Sequence, residues 1–128
     1  MPSVARAGAL LTPLNCGVVG AAKTTTVTGS AVDCDGMAGS VIFTQQVDTV
    51  SGTTPTLDGK VQQSADGSTA WTDVSGATAT QVTASTNIQN IVADRSASQR
   101  YLRYVGTIAG TSPSFQLSIA CNAYKAYR

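Results

Sequence analysis

The chain contains no histidine and no glutamate among its 128 residues. The missing histidine removes the usual proton shuttle at neutral pH and the commonest metal ligand. The missing glutamate leaves carboxylate chemistry to seven aspartates. Charge is scarce: eight Lys plus Arg against those aspartates leave a net charge of +1, too little to draw the chain to nucleic acid or anionic lipid. No apolar run reaches the roughly eighteen residues of a membrane-spanning helix. Three cysteines, Cys16, Cys34 and Cys121, form no CxxC pair, and there is no histidine to complete a zinc site. These absences disfavour most enzyme mechanisms. The chain is expected to be no enzyme, with no catalytic residue, metal, cofactor or small-molecule substrate.

What is present points to strands. Ser and Thr fill 31 positions, Ala 18 and Val 13, a composition richer in strand formers than in helix formers. With 42% hydrophobic residues the chain is too apolar for disorder. Its length suits one domain burying about two-thirds of its unfolded surface. Residues 1–22 are apolar with Arg6 near their start, as in a signal peptide, but Thr12 and Pro13 break the apolar stretch too early. Residues 1–23, small and rich in Pro and Gly, read as an extended arm ahead of a single β-sandwich domain at 24–128.

Period-two alternation is clearest after Ser114. Phe115, Leu117, Ile119, Cys121 and Ala123 share one face, and Gln116, Ser118, Ala120, Asn122 and Tyr124 the other. Leu102, Tyr104, Gly106 and Ile108 alternate likewise, and the turn-rich segment 109–113 between these runs predicts an antiparallel hairpin. A second hairpin is predicted around Asp66-Gly67, between 57–64 and 71–74. Further strands are expected at 24–32, 41–50, 77–83 and 88–92, with a polar loop at 94–99. Seven or eight strands with turns every eight to twelve residues predict an all-β fold. The expected form is an antiparallel sandwich or barrel, jelly-roll-like, with minimal helix.

The motifs have plain structural readings. Asp33-x-Asp35-Gly36 resembles the start of a calcium loop, but the downstream bidentate Glu is missing, so a polar loop is expected. Asp58, Asp66, Asp73 and Asp94 lie in the central region, yet turn and solvent-facing positions account for the first three, against a catalytic pair. Without histidine no Ser or Cys nucleophile has its base, and no G-x-S-x-G stretch occurs. Cys121 is expected to be buried; Cys16 and Cys34 are either bridged or, with Cys121, reduced thiols. Trp71 is expected to fill the core beside the Asp66-Gly67 turn, with a sugar-stacking platform as the alternative. Arg95, Arg100 and Arg103, with Tyr101 and Tyr104, form one concentrated polar-aromatic patch. It is either a protein interface or a solvated edge with Tyr104 in the core. Uncharged strand surfaces of Thr, Ser, Gln and Ala suit a protein whose surfaces are covered by neighbours.

Two stretches carry a family resemblance. Thr56-Leu57-Asp58-Gly59-Lys60-Val61-Gln62-Gln63-Ser64-Ala65-Asp66-Gly67, followed by Trp71-Thr72-Asp73-Val74, resembles a pattern in small structural proteins of tailed bacteriophages. So does Arg100-Tyr101-Leu102-Arg103-Tyr104-Val105 with Gly110-Thr111-Ser112-Pro113-Ser114-Phe115. The resemblance covers about the carboxy-terminal 75 residues and is greatest to capsid decoration, or cement, proteins. It implies a β-rich trimer on the outside of a virion, assembled in the host cytoplasm and clamping neighbouring subunits of the major capsid protein. A tail or head-completion role is the variant of this reading; a carbohydrate-binding or fibre-type adhesion module is the alternative, since the Asp66-Gly67 hairpin type also occurs there. The partner-facing candidates are Arg6, Leu10, Leu11 and Leu14 of the arm with Arg95, Arg100, Tyr101 and Arg103. No nucleic acid or membrane is expected as a partner.

Overall fold

The computed structural model describes residues 9–126. Most of these residues lie in strands: β1 Ala9–Leu14, β2 Ala21–Lys23, β3 Val27–Thr28, β4 Val32–Asp33, β5 Met37–Ser64, β6 Thr72–Thr78, β7 Asn87–Asp94 and β8 Tyr101–Ala126, with a 3-10 turn at Arg95–Ala97. No helix among the described residues is long and apolar enough to cross a membrane.

Two long strands organise everything else. β5 and β8 run antiparallel along their whole lengths, from Met37 opposite Lys125 to Ser64 opposite Tyr101. Their ladder loses register around residues 47–56, and there both strands bend. Gly52 and Gly110 take φ of 110° and 120°, and Thr54 and Ser112 also stand at positive φ. A Cβ on Gly52 would lie 2.6 Å from the Ser112 carbonyl oxygen, and one on Gly110 2.7 Å from that of Thr54. Only glycine permits both the backbone angle and the close approach at this corner.

The rest of the chain lines the two outer edges of this bent ribbon. β1 and β2 pair with the 114–126 half of β8, and β3 and β4 with its 101–109 half. β6 pairs with the 56–64 half of β5 and β7 with its 37–51 half. One continuous sheet is thereby folded into two facing layers. Sheet I is β1/β2, β8, β5, β7; sheet II is β3/β4, β8, β5, β6. Counted as eight strand segments along the chain, the layers read 1-8-3-6 and 2-7-4-5, the connectivity of a jelly roll.

The alternation of the sequence fills the space between the layers. Phe115, Leu117, Ile119, Cys121 and Ala123 of β8 meet Val41, Phe43, Val47, Leu57 and Val61 of β5 in one core, joined by Ile91, Ala93, Val74 and Ala77. A polar link crosses it. Tyr104 of sheet II, fully buried, donates its hydroxyl to Oε1 of Gln45 in sheet I at 2.6 Å. All three cysteines are buried and unpaired.

Two expectations are corrected. Residues 101–126 do not form a hairpin: the turn-rich segment 109–113 bends one strand, and Thr111 still pairs with Thr53 of β5. Positive-φ residues on both strands at the same level redirect the ribbon without reversing it. Residues 9–23 are not an arm outside the sandwich. β1 and β2 complete the edge of sheet I, and Cys16 and Val18 between them are buried in the core. The sandwich therefore begins by Ala9, and residues 1–8 lie outside the described residues.

Candidate functional site

The outer faces of the two sheets differ in chemistry. On sheet II the β8–β5–β6 register sets Arg103 opposite Gln62 and Gln62 opposite Asp73. Arg103 donates Nε and Nη2 to Gln62 Oε1 at 3.0 and 2.8 Å, and Gln62 Nε2 donates to Asp73 Oδ1 at 3.0 Å. Lys60 Nζ completes the row 3.1 Å from the same carboxylate. The Arg103 guanidinium also lies over the Trp71 ring, 4.3 Å from its centroid, a cation–π contact that fixes both side chains.

At the end of the same sheet Arg100 forks onto Asp33 with two hydrogen bonds of 2.9 Å and stands 5.1 Å from the Tyr101 ring centroid. The Tyr101 ring lies under the 65–69 turn, where a Cβ on Gly67 would come within 2.9 Å of it. Arg100, Tyr101, Arg103 and Trp71 make one ledge of the residue types that dominate binding energetics.

The carboxylates of this region are acceptors held ionised. The Arg100 guanidinium lowers the Asp33 carboxyl to about 2. The Thr69 hydroxyl and the turn amides of Ser68 and Thr69 hold Asp66 well below the usual range. Gln62 and Lys60 lower Asp73, and the Ser96 amide and hydroxyl lower Asp94. A general acid needs the opposite shift. Asp33 is spoken for by Arg100 and by the Asp35 amide, and no three metal-ligating side chains gather among the described residues.

Sheet I presents a different face. Its outward row sets Pro13 opposite Asn122, Asn122 opposite Ile42, and Ile42 opposite Val92. The next rows pair Leu11 with Tyr124, Ala120 with Thr44 and Thr44 with Asn90, and Ser118 with Gln46 and Gln46 with Ile88. None of these is charged. Asp94, opposite Ser40, and Asp48, just past the Val47–Asn87 pair, stand at the two ends of the face. The exposed large apolar side chains of the described residues are Leu11, Val19, Ile88, Val92 and Tyr124, and all lie on this sheet or its β1–β2 edge.

The predicted site residues fall into three places. Arg100, Tyr101 and Arg103 come together on the sheet II ledge. Arg95 instead works inward, donating to the backbone carbonyls of Cys34, Ser98 and Gln99 and so clamping the 3-10 turn. Leu11 is exposed on sheet I, Leu14 is half-buried against the core, and Leu10 pairs in β1 with Lys125. Arg6 lies outside the described residues. Trp71 is corrected: it sits half-exposed on the outer face under Arg103, because Val74 and Ala77 occupy the inward positions of β6.

Sequence reasoning missed Gln62, Lys60 and Asp73 as the base of the ledge, and Ile88, Val92 and Tyr124 as an apolar face. The second set had a signal. Ile88 and Val92 alternate against the buried Ile91 and Ala93, so apolar residues occupy the slots that a solvated strand fills with polar ones. No protein-family model, no curated protein and no solved structure matches this chain.

Proposed function

We propose that this chain is a structural virion protein. It binds the outer surface of a phage capsid and stabilises the shell by clamping neighbouring major-capsid subunits, and it does so as a homo-oligomer without catalysis. The observation that carries this reading is the pair of unlike surfaces set back to back: an arginine–aromatic ledge on sheet II and an uncharged, apolar-studded face on sheet I. A clamp built as a homo-oligomer needs one surface for the capsid and one for its own copies, and a sandwich whose layers share one core supplies a body that carries both. Contacts of the order of 1,000 Å² per copy, repeated by symmetry, hold a shell without any single strong bond. The resemblance of the 56–74 and 100–115 stretches to decoration proteins agrees with it.

The test is binding to purified capsids, scored by co-sedimentation and by copy number in particles. Wild-type protein is expected to saturate at a number set by the capsid-subunit lattice, and Arg103→Ala with Tyr101→Ala to lower occupancy. Saturation at the count of a single ring would assign the chain to the tail or head-completion apparatus, and no binding at any concentration would overturn the reading. The half-exposed Trp71 favours one alternative, a glycan-stacking module. In that case Trp71 emission shifts on titration with glycans, whereas the capsid reading expects no shift.

A further inference from the structure

We propose that the outer face of sheet I is the surface on which a second copy of this chain docks, sheet face to sheet face about a two-fold axis. The inference deepens the self-association part of the reading above and replaces a trimer by a pair.

The chemistry of the face selects the occupant. About a two-fold axis a surface meets itself, so every group near the axis faces a group of its own kind. A charged group there would meet its like; the central rows of this face carry none, and Asp48 and Asp94 stand outside them. The polar groups in the rows are the amides of Gln46, Asn90 and Asn122 with Thr and Ser hydroxyls, each both donor and acceptor. Thr44 donates its hydroxyl to Asn90 Oδ1 at 2.8 Å within the face, and the Gln46 and Asn122 amides can bond across the axis to their own copies, which Lys or Asp cannot do. Between them Leu11, Ile42, Ile88, Val92 and Tyr124 give the apolar area, four of the five being exposed.

The size is sufficient. Four strands about 4.8 Å apart, with the eight residues of β7 spanning about 27 Å, give a face of about 19 by 27 Å in plan, some 500 Å². Side-chain relief adds to this plan figure, and stable pairs begin at about 600 Å² per partner. Sheet II lacks these properties. Its rows carry Lys60, Asp73, Arg103, Arg100 and Asp33, already committed to one another.

The experiment is sedimentation velocity on the full chain over a concentration series at neutral pH. Wild type is expected to sediment at twice 13.0 kDa. Ile88→Lys with Val92→Lys places four like charges across the axis and is expected to weaken pairing by about 100-fold or more. Ile88→Glu with Val92→Glu does the same, and mixing the Lys and Glu proteins restores the pair. Both positions are exposed, at 64% and 47%, so circular dichroism should be unchanged. Thr107→Lys, on sheet II, should leave the mass alone. A wild type that stays single, a trimer, failure of the mixture to pair, or equal loss from Thr107→Lys overturns the docking surface. Capsid binding is scored separately. A single-mass wild type that still coats capsids overturns the pairing alone, while a paired protein that coats none upholds the pairing and overturns the capsid reading.

Discussion

Replacing Tyr104 by phenylalanine tests how the two layers are held in register. The Tyr104 hydroxyl and the Gln45 amide are both fully buried and meet at 2.6 Å across the core. Gln45 Nε2 has no partner there, so this is a half-satisfied polar pair in an apolar surrounding. Tyr104→Phe removes a hydrogen bond worth about 1 kcal/mol net and strands the Gln45 carbonyl, for a total cost of about 2–3 kcal/mol. Gln45→Met alone strands the hydroxyl but also removes the unpaired Nε2, and should cost about 1 kcal/mol. The double variant leaves no buried polar atom unsatisfied at this place, and its stability should fall within about 1 kcal/mol of wild type. The double-mutant cycle therefore closes with a coupling of at least about 2 kcal/mol. Equilibrium urea unfolding, followed by Trp71 fluorescence and circular dichroism together, measures each corner if the two transitions coincide. A Tyr104→Phe cost below about 0.5 kcal/mol, or a double variant as unstable as the sum of the singles, would refute the reasoning.

Three further outcomes follow from the same packing and charges. Gly59 and Gly106 stand directly opposite each other in the β5–β8 ladder, and a Cβ on Gly106 would lie 2.6 Å from the Tyr104 hydroxyl oxygen. Gly106→Ala should cost about 1–3 kcal/mol by overpacking and should be partly rescued by Tyr104→Phe, as read by urea midpoints. Arg103→Lys keeps the charge but loses the planar stack on Trp71 and the fork onto Gln62, for a cost of about 0.5–1 kcal/mol with a change in Trp71 emission. Stability should be flat between about pH 5 and 7.5, because neither His nor Glu is present to titrate. Below that range Asp33, at about 2 when folded against about 3.9 unfolded, binds fewer protons in the native state, so stability falls as pH drops from about 4 towards 2. Above it the buried thiols of Cys34 and Cys121, raised to about 11 and 12, keep protons that the unfolded chain gives up from about pH 8.5. Stability is then lost as pH rises through 9 towards 12, and urea midpoints across the pH series read both limbs.

The parts of the fold legible in the sequence were those whose signal is local. Five alternating apolar residues from Phe115 to Ala123 could only be a half-buried strand, and Asp66-Gly67 could only be a tight turn. The 109–113 segment carries equally strong turn chemistry yet does not reverse the chain. Gly110 and Ser112 do adopt positive φ, but local angles say that a chain changes direction, not by how much. The pairing with β5, which shifts register at the corner but resumes on both sides of it, decides that. Residues 9–33 gave no periodicity because each strand there pairs over only two to six residues, between glycines and polar connections. The site divides in the same way. Arg100, Tyr101 and Arg103 lie in one stretch and were visible as a cluster. Trp71, Gln62 and Asp73 join them only through the register of β5 with β6 and β8, a long-range pairing that no single segment encodes.

The central place of β8 has a consequence for how the molecule comes into being. Among the described residues β1 to β4 pair with β8 alone, which leaves the ribosome some 70 to 120 residues after them, a wait of several seconds or more at about 5–20 residues per second. Through that interval the edge of β5 that β8 will cover is also bare. The nascent chain thus holds apolar, uncharged strand edges without their mate, and the closing of the jelly roll must be a late, all-at-once event. Slow elongation or crowding of nascent chains should divert this protein into aggregates far more readily than dilute refolding from urea.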